Sequence, residues 1–244
     1  KRRSYANRLV KHGKQPDIYK DYPGRRQFPL PKTPTSSSKT NEVLASLHDV
    51  RRFQRRPISK ESLAEILRLA CGEHGKITEK PWGELLLKTH HSAGGRHPIE
   101  VYPVVVSVDG LKPGVYHYNV RKHGLELLKL GDFSGQVRRI ANSQTWVKNA
   151  PVYLRMTAVF DRTSFKYRHD YFLRSVLMDA GHMSQSVYLA AKSLGLGACA
   201  THALRHDIAE TFLGLDGIRE SFLFLVMFGW PQELSRAELI SPYR

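Results

Sequence analysis

Residues 171–194 read YFLRSVLMDAGHMSQSVYLAAKSL, and this stretch decides the fold. Its apolar and small side chains recur at helical spacing along one stripe, and further apolar residues cover much of the flank. The stripe consists of Leu173, Leu177, Ala180, Ser184, Val187, Ala191 and Leu194. At 1.5 Å per residue the predicted helix is about 36 Å long. A helix that is apolar on most sides is expected at the centre of the molecule.

Strands and shorter helices are predicted on both sides of this helix. Runs of aliphatic and aromatic residues predict strands at 101–108, 115–119, 125–130, 152–160, 198–200 and 222–228. Helical periodicity predicts helices at 41–47, 59–70, 133–141 and 207–213, and Ser59 can cap the second of these. Residues 72–98 have no sustained period and are expected to form a long functional loop. Hairpins combined with one long helix predict an α+β fold with three layers.

The first forty residues differ in composition from the rest. They carry eleven Lys and Arg residues and two Asp residues, so they hold +9 of the formal net charge of +16. Prolines and the serines at 36–38 predict an extended lead-in before Thr40. We therefore expect a basic, Pro- and Ser-rich extension at 1–40 and one folded domain at 41–244.

Composition disfavours several classes of protein. With 41% hydrophobic and 25% charged residues, the chain is typical of a globular protein. No run approaches about 18 apolar residues, so no membrane span is predicted, and no signal peptide follows Lys1. Cys71 and Cys199 lack metal-ligand spacing, so no metal site is predicted, and two cysteines favour the reducing cytoplasm over a disulfide framework. Nucleic-acid binding is disfavoured because no recognisable binding module is present.

Short motifs follow one another along most of the chain. They read YKDYP at 19–23, HSAGGRHPIEVY at 91–102, PG at 113–114, YHY at 116–118, KY at 166–167, DAGHMSQ at 179–185, LGLGA at 194–198, and GWP at 229–231 with Arg236. In this order they resemble the nitroreductase-like flavoproteins, and among them the SagB-type dehydrogenases that oxidise azolines to azoles in modified peptides. The resemblance implies a three-layer α/β/α fold with a mostly antiparallel central sheet.

The resemblance also implies FMN as the cofactor. A flavin needs a small-residue loop that backbone N–H groups can bring close to it, and Ser92, Ala93 and Gly94 form such a loop. Taken alone, the same residues fit a plain surface turn. The other residues at cofactor-binding positions of the family are His48, Arg51, Gln185, Gly195, Gly197 and Arg236.

One of these positions departs from the family pattern. Where the family has Arg-Arg-Ser-x-Arg at the flavin phosphate, this chain has LHDVR at 47–51. Asp49 replaces the serine, and its carboxylate would repel a phosphate by roughly 1 kcal/mol or more. We expect Arg51 and Arg236 to hold the phosphate with Asp49 turned aside, and the alternative is a reduced flavin affinity. Without a phosphate, Asp49 would serve as a helix cap or pair with Arg52.

Lys166 and Tyr167 match the acid–base pair of the family. Oxidation of an azoline removes a proton and a hydride from the ring, so a base is needed beside the flavin. A lysine acts as a base only if burial or a nearby cation lowers its pKa, and a tyrosine can orient it. A solvated lysine beside a packing tyrosine is the structural alternative, and His97 and His182 are the next candidates for the base.

These observations predict an FMN-dependent azoline dehydrogenase that acts on a modified peptide. The family implies a homodimer with the flavin at the interface, and the reaction implies a partner such as a cyclodehydratase. Two alternatives remain open at this stage. One is an NAD(P)H-dependent nitroreductase, and the other is a cofactor-poor scaffold subunit of a biosynthetic complex.

Overall fold

The centre of the molecule is a twisted sheet. The computed structural model describes residues 17–32, 39–167 and 171–232. The sheet contains β1 (Gln27–Pro29), β4 (Ile99–Val105), β5 (Gly114–Asn119), β6 (Gly124–Leu130), β7 (Val152–Val159), β8 (Gly197–Thr201) and β9 (Glu220–Gly229). Their order across the sheet is β1-β6-β5-β4-β7-β9-β8, and every neighbouring pair is antiparallel.

Helices cover both faces of this sheet. They are α1 (Thr40–Ala45), α2 (Lys60–Cys71), α3 (Ser134–Ile140), α4 (Phe160–Ser164), α5 (Phe172–Ser193) and α6 (His206–Leu213). Alternate strand residues point to opposite faces, so Leu154 packs with α2 and α5, whereas Tyr153 packs with α3. Helix, sheet and helix therefore form three layers, as predicted.

Most predicted elements are confirmed within a few residues at each end. The Oγ atom of Ser59 accepts a hydrogen bond from the N–H of Ser62 at 3.0 Å, so Ser59 caps α2 as expected. The long helix predicted at 171–194 is α5, which consists of 22 residues. Together with the antiparallel sheet, α5 confirms the predicted fold class.

The prediction of a long loop at 72–98 was wrong. Residues Glu73–Glu79 form β2 and Gly83–Lys88 form β3, and the two strands pair as an antiparallel hairpin outside the main sheet. Most side chains of β2 are exposed. No alternation of apolar and polar residues therefore marks this strand in the sequence.

The long helix is buried on one side only. The prediction of a helix surrounded by the rest of the chain was therefore wrong in part. Its buried face consists of Val176, Asp179, Ala180, Met183, Val187, Ala190 and Ala191. On the other side, Leu173, Leu177 and Met178 are 44%, 62% and 62% exposed. The described residues of one copy leave this apolar face of α5 uncovered.

Part of the lead-in packs on the sheet, so the packed region includes residues before 41. Tyr19 and Leu30 are buried, and β1 pairs with β6. Lys20 forms an ion pair with Glu220. Residues 1–16 and 33–38 lie outside the described part of the chain.

The described residues contain neither a membrane-spanning helix nor a metal-binding cluster. None of the helices in the described ranges is both long and apolar enough to span a membrane. The same ranges contain no cluster of three His, Cys, Asp or Glu side chains that could hold a metal ion. Cys71 and Cys199 are buried free thiols, and burial raises the pKa of both.

Candidate active site

A short loop between β3 and β4 forms one half of the candidate site. Its backbone turns sharply at Gly94, where φ is +61°, a conformation that favours glycine. Asp179 of α5 anchors the start of the loop. Its Oδ2 atom accepts a hydrogen bond from the Ser92 hydroxyl at 2.5 Å, and its Oδ1 atom accepts one from the Ala93 N–H at 3.1 Å. The long helix thus fixes the position of the predicted flavin-binding loop.

Lys166 and Tyr167 lie directly against this loop. Both follow α4, and their backbone N–H groups bond the carbonyl oxygen of Thr163. A Cβ atom at Gly94 would lie 2.8 Å from the Tyr167 hydroxyl and 2.9 Å from Nζ of Lys166. The absence of a side chain at Gly94 is therefore what allows the pair to approach the loop. The structure brings together Ser92, Ala93, Gly94, Lys166 and Tyr167.

The surroundings of the pair shift both pKa values. Burial lowers the pKa of Lys166, the charge of Arg96 lowers it further, and Glu79 opposes the shift. Burial raises the pKa of Tyr167, although Arg96 acts against this change. The lowered pKa of Lys166 favours its neutral amine, and the raised pKa of Tyr167 favours its protonated hydroxyl. The site therefore favours an amine that can accept a proton beside a hydroxyl that keeps its own proton.

Trp82 lies over the site from the turn of the β2–β3 hairpin. The Nζ atom of Lys166 lies 4.8 Å from the centre of the indole ring, and Cζ of Arg96 lies 5.9 Å from it. The Trp82 ring also packs edge-on against Phe165. No sequence motif placed Trp82 at the site, and the residues around it were expected to form a loop.

The two histidines named as alternative bases differ in their surroundings. His97 is buried, and burial together with the charge of Lys88 lowers its pKa to about 2. It is therefore a poor base at neutral pH. His182 is half-buried, its ring lies 5.5 Å from that of His91, and its Nδ1 atom has no hydrogen-bond partner among the described residues.

A second cluster lies where the chain after α1 runs beside β8. Asp49 forms a bridge with Ala198, and a Cβ atom on Gly197 would come within 2.3 Å of the Val50 side chain. Gly197 thus permits a close approach of two backbones. Asp49 accepts a hydrogen bond from the Tyr188 hydroxyl at 2.8 Å and lies 3.9 Å from Arg51. The carboxylate is held by these two residues.

Arg51 lines a cavity that can receive an anion. The cavity has a volume of about 330 Å³. Its lining residues are Arg51, Arg52, Phe53, Thr145, Trp146, Lys148, Asn149 and Gln232. The guanidinium of Arg51 lies 5.2 Å from the centre of the Trp146 ring, and its side chain is 44% exposed. Three cations around one cavity fit a phosphate group.

The remaining predicted site residues lie apart from these contacts. His48 is exposed, and its Nδ1 atom contacts the carbonyl oxygen of Ser46. Gln185 is exposed on α5. Gly195 follows α5 with a φ of +74°, and a Cβ atom there would meet nothing within 4 Å. Arg236 lies outside the described residues.

The long helix links the two clusters. Asp179 contacts the Ser92 loop, and Tyr188, nine residues later, contacts Asp49. At 1.5 Å per residue these positions are about 13.5 Å apart along the axis of α5. Sequence reasoning assigned no role to Asp179, although the residue lies within a motif that carries the family resemblance. The available signal in the sequence was an acidic residue among the apolar positions of the predicted helix.

Comparison with known proteins assigns the family. A model described as the nitroreductase family matches residues 44–230. The chain belongs to the nitroreductase family. Membership assigns it to a family of oxidoreductases and confirms the predicted resemblance.

Two relatives are similar in sequence to this nitroreductase-family chain. The trifolitoxin-processing protein TfxB of Rhizobium leguminosarum bv. trifolii is 34% identical over 168 residues, which is 67% of this chain and 45% of TfxB. The nitroreductase-like protein MJ1384 of Methanocaldococcus jannaschii is 33% identical over 165 residues, which is 68% of this chain and 79% of that protein. The similarity to TfxB supports the SagB-type subgroup.

Solved structures share the fold. A nitroreductase-like protein from Anabaena variabilis has a TM-score of 0.72 at 22% identity, covering 88% of this chain and 41% of its own. The Escherichia coli microcin synthetase McbBCD complex, with truncated pro-MccB17 bound, has a TM-score of 0.62 at 20% identity. The match covers 87% of this chain and 77% of that chain. The NADPH:FMN oxidoreductase of Vibrio harveyi has a TM-score of 0.56 at 18% identity, covering 80% of this chain and 69% of its own. The chain spans less than half the length of TfxB and of the Anabaena protein.

Proposed function

We propose that the chain is an FMN-dependent dehydrogenase that oxidises azoline rings to azoles in a modified peptide. The contact of Lys166 and Tyr167 with the Gly94 loop carries this proposal, because it puts a proton acceptor beside a small-residue loop. TfxB is named for trifolitoxin processing, and the McbBCD structure for microcin synthetase. Both names support a peptide as the substrate.

The residues present fit FMN. At one cluster, the small residues of the Gly94 loop expose backbone beside Lys166 and Tyr167, and at the other, Arg51 and Lys148 line the cavity. Arg51, and Arg236 beyond the described residues, would hold the phosphate, while Ser92, Ala93 and Gly94 would contact the ring system. When bound, FMN supplies a two-electron acceptor. Asp49 does not oppose this assignment, because Tyr188 and Arg51 already engage its carboxylate.

Within the reaction, Lys166 and Tyr167 handle the proton. The neutral amine of Lys166 accepts a proton from the ring carbon of the azoline at its Nζ atom. Tyr167 keeps its own proton and orients the amine, since its pKa is raised. Trp82 covers the amine and limits the access of water to it.

A second copy of the chain would complete the site. The apolar face of Leu173, Leu177 and Met178 is exposed on α5, the helix that links the two clusters. Exposed apolar patches of this kind mark interaction surfaces. We therefore assign this face to a homodimer interface. The peptide would be supplied by a biosynthetic partner that builds the azoline, such as a cyclodehydratase in the cytoplasm.

The cofactor and the reaction are tested in sequence. The purified chain should show the absorption of oxidised flavin, and the released cofactor should have the mass of FMN. A thiazoline-containing peptide should then lose two hydrogen atoms per ring by mass spectrometry. Rapid NADPH oxidation with a nitroaromatic compound and no azoline oxidation would favour a nitroreductase. A colourless protein that refuses FMN would favour a scaffold subunit.

A further inference from the structure

Arg96 has a buried cationic donor with no acceptor in the described part of the chain. The residue is only 5% exposed. Its Nε atom donates a hydrogen bond to the carbonyl oxygen of Gly94 at 3.1 Å, which fixes the plane of the guanidinium. Its Nη2 atom is buried, and no described residue accepts a hydrogen bond from it. Buried polar groups in proteins are nearly always paired, and leaving a cation unpaired is costly.

Within residues 17–32, 39–167 and 171–232, no acidic residue forms an ion pair with Arg96 that would account for this burial. Burial lowers the pKa of Arg96, and electrostatic interactions with Tyr167 and Glu79 partly oppose this shift. Glu79 is exposed and forms no ion pair with Arg96. A structural arginine at such a position would be expected to reach a carboxylate. In the described ranges, the Arg96 side chain donates a hydrogen bond only to the carbonyl oxygen of Gly94, in its own loop.

The surroundings of Arg96 are those of the candidate active site. Its anchor is Gly94, the residue against which Lys166 and Tyr167 pack. Its guanidinium lies near the Trp82 ring, as does the amine of Lys166. A group that reaches Lys166 under Trp82 is therefore within the neighbourhood of Arg96.

We propose that Nη2 of Arg96 donates a hydrogen bond to the carbonyl oxygen of the acyl group attached to the heterocycle. This inference rests on the proposed function. In a peptide azoline, the ring carbon that bears the backbone carbonyl also carries a hydrogen. A charged hydrogen bond to that carbonyl withdraws electrons from the adjacent C–H bond and makes its hydrogen more acidic.

The assignment gives Arg96 a catalytic role with a balanced reaction. The C–H bond beside the carbonyl breaks, its proton goes to Nζ of Lys166, and its electron pair forms the new ring double bond. The neighbouring ring carbon gives up a hydrogen with its electron pair, and bound FMN would supply the two-electron acceptor. Arg96 polarises the carbonyl throughout and exchanges no proton, because guanidinium stays charged.

Two small ligands test the contact without turnover. N-methylthiazole-4-carboxamide carries the carbonyl, and 4-propylthiazole has a similar shape without it. Calorimetric titration of the purified protein should show binding of the carboxamide at least about tenfold tighter, as a hydrogen bond from a charged donor predicts. Arg96→Gln should abolish the preference, and Arg96→Lys should retain part of it. Arg139→Gln, on the exposed side of α3, is the control and should keep it in full.

The outcomes separate this contact from the proposed reaction. Equal binding of the two ligands by the unmodified protein overturns the role of Arg96, even if the protein oxidises azolines. A clear preference without azoline oxidation supports the contact and counts against the proposed reaction. If Arg96→Gln releases FMN or shifts its absorption while the preference survives, Arg96 serves the flavin and the inference fails. Should Arg96→Gln not fold, the unmodified protein and Arg96→Lys decide the matter.

Discussion

The amine of Lys166 occupies the space that a side chain at Gly94 would need: a Cβ atom there would lie 2.9 Å from Nζ. The Tyr167 hydroxyl lies equally close, at 2.8 Å. The loop and the pair are thus fitted to each other by the absence of one methyl group. This relationship makes the loop sequence a condition for the position of the proposed base.

Gly94→Ala should reduce the rate of azoline oxidation more than it reduces the stability of the fold. The positive φ at Gly94 disfavours alanine by roughly 1 kcal/mol, and the new methyl group must also displace Lys166. We expect azoline oxidation to fall by about tenfold or more, because small misplacements of a catalytic group are costly. Gly110→Ala is a matched control, since Gly110 has a φ of +74° and open space around it. A similar loss of activity in both variants would contradict the proposed contact.

Lys166→Ala should lose about 10² to 10⁴-fold in rate, the usual contribution of a positioned general base. The flavin spectrum should stay unchanged, because the amine acts on the substrate. Tyr167→Phe should lose less if the ring mainly orients the amine, and as much if the hydroxyl carries the proton. In the unmodified protein, activity should rise with pH as Lys166 loses its proton, at a pH below the usual lysine range. Turnover by Lys166→Ala at the parent rate would assign the pair to structure alone.

Arg51→Ala should weaken FMN binding by about one to two decades, because hydrogen bonds from guanidinium to phosphate are strong. Dialysis followed by fluorescence titration of FMN measures the change. Arg139→Ala, which changes an exposed arginine on α3 that does not line this cavity, should bind FMN as the parent does. Full flavin occupancy of Arg51→Ala after gel filtration would reject the assignment.

Leu177→Glu should convert the proposed dimer into a monomer, since a charge on the apolar face of α5 cannot be buried cheaply. Sedimentation of the parent at low micromolar concentration should report about twice the chain mass of 27.8 kDa. Ile218→Glu alters a residue that is 80% exposed in the turn after α6, and it should leave the mass unchanged. A parent protein that sediments as a flavin-bearing monomer would refute the dimer.

The buried His117 should make stability depend on pH. Burial disfavours its charged form, but hydrogen bonds to Glu100 and Glu126 at 2.9 and 2.8 Å outweigh this and raise its pKa. Because the folded pKa exceeds the unfolded value of about 6.5, the stabilisation is complete below that pH and declines as pH rises through the folded pKa. Denaturant unfolding of the parent and His117→Gln should therefore show their difference shrinking above about pH 6.5.

The carboxylates on either side of His117 should make the folded protein less stable at low pH. Burial would raise the pKa of Glu100, but the charge of Arg162 and the contact with His117 lower it to about 2. Hydrogen bonds lower the pKa of Glu126 to about 2 against the same effect of burial. The stability contributed by these carboxylates should decline as pH falls below about 4.5 towards 2. His74→Gln, at an exposed histidine, should follow the parent at every pH.

Sequence alone predicted the elements whose pattern reflects burial. The stripe along α5 and the cap at Ser59 were readable because apolar spacing and capping are local signals. The β2–β3 hairpin was missed because exposed strands carry no such alternation. The contact between Gly94 and Lys166 joins residues far apart in the chain, so spacing could not predict it, and only the family resemblance grouped the two.

Pairing of β1 with β6 has a consequence for shortened forms of the chain. A fragment that begins at residue 41 would lose β1 and turn β6 into an open edge, which is a template for aggregation. It would also remove Lys20 from Glu220 and Asp21 from Asn119, leaving polar groups of the interior without their partners. The shortest fragment that behaves well in solution should therefore begin no later than Lys20.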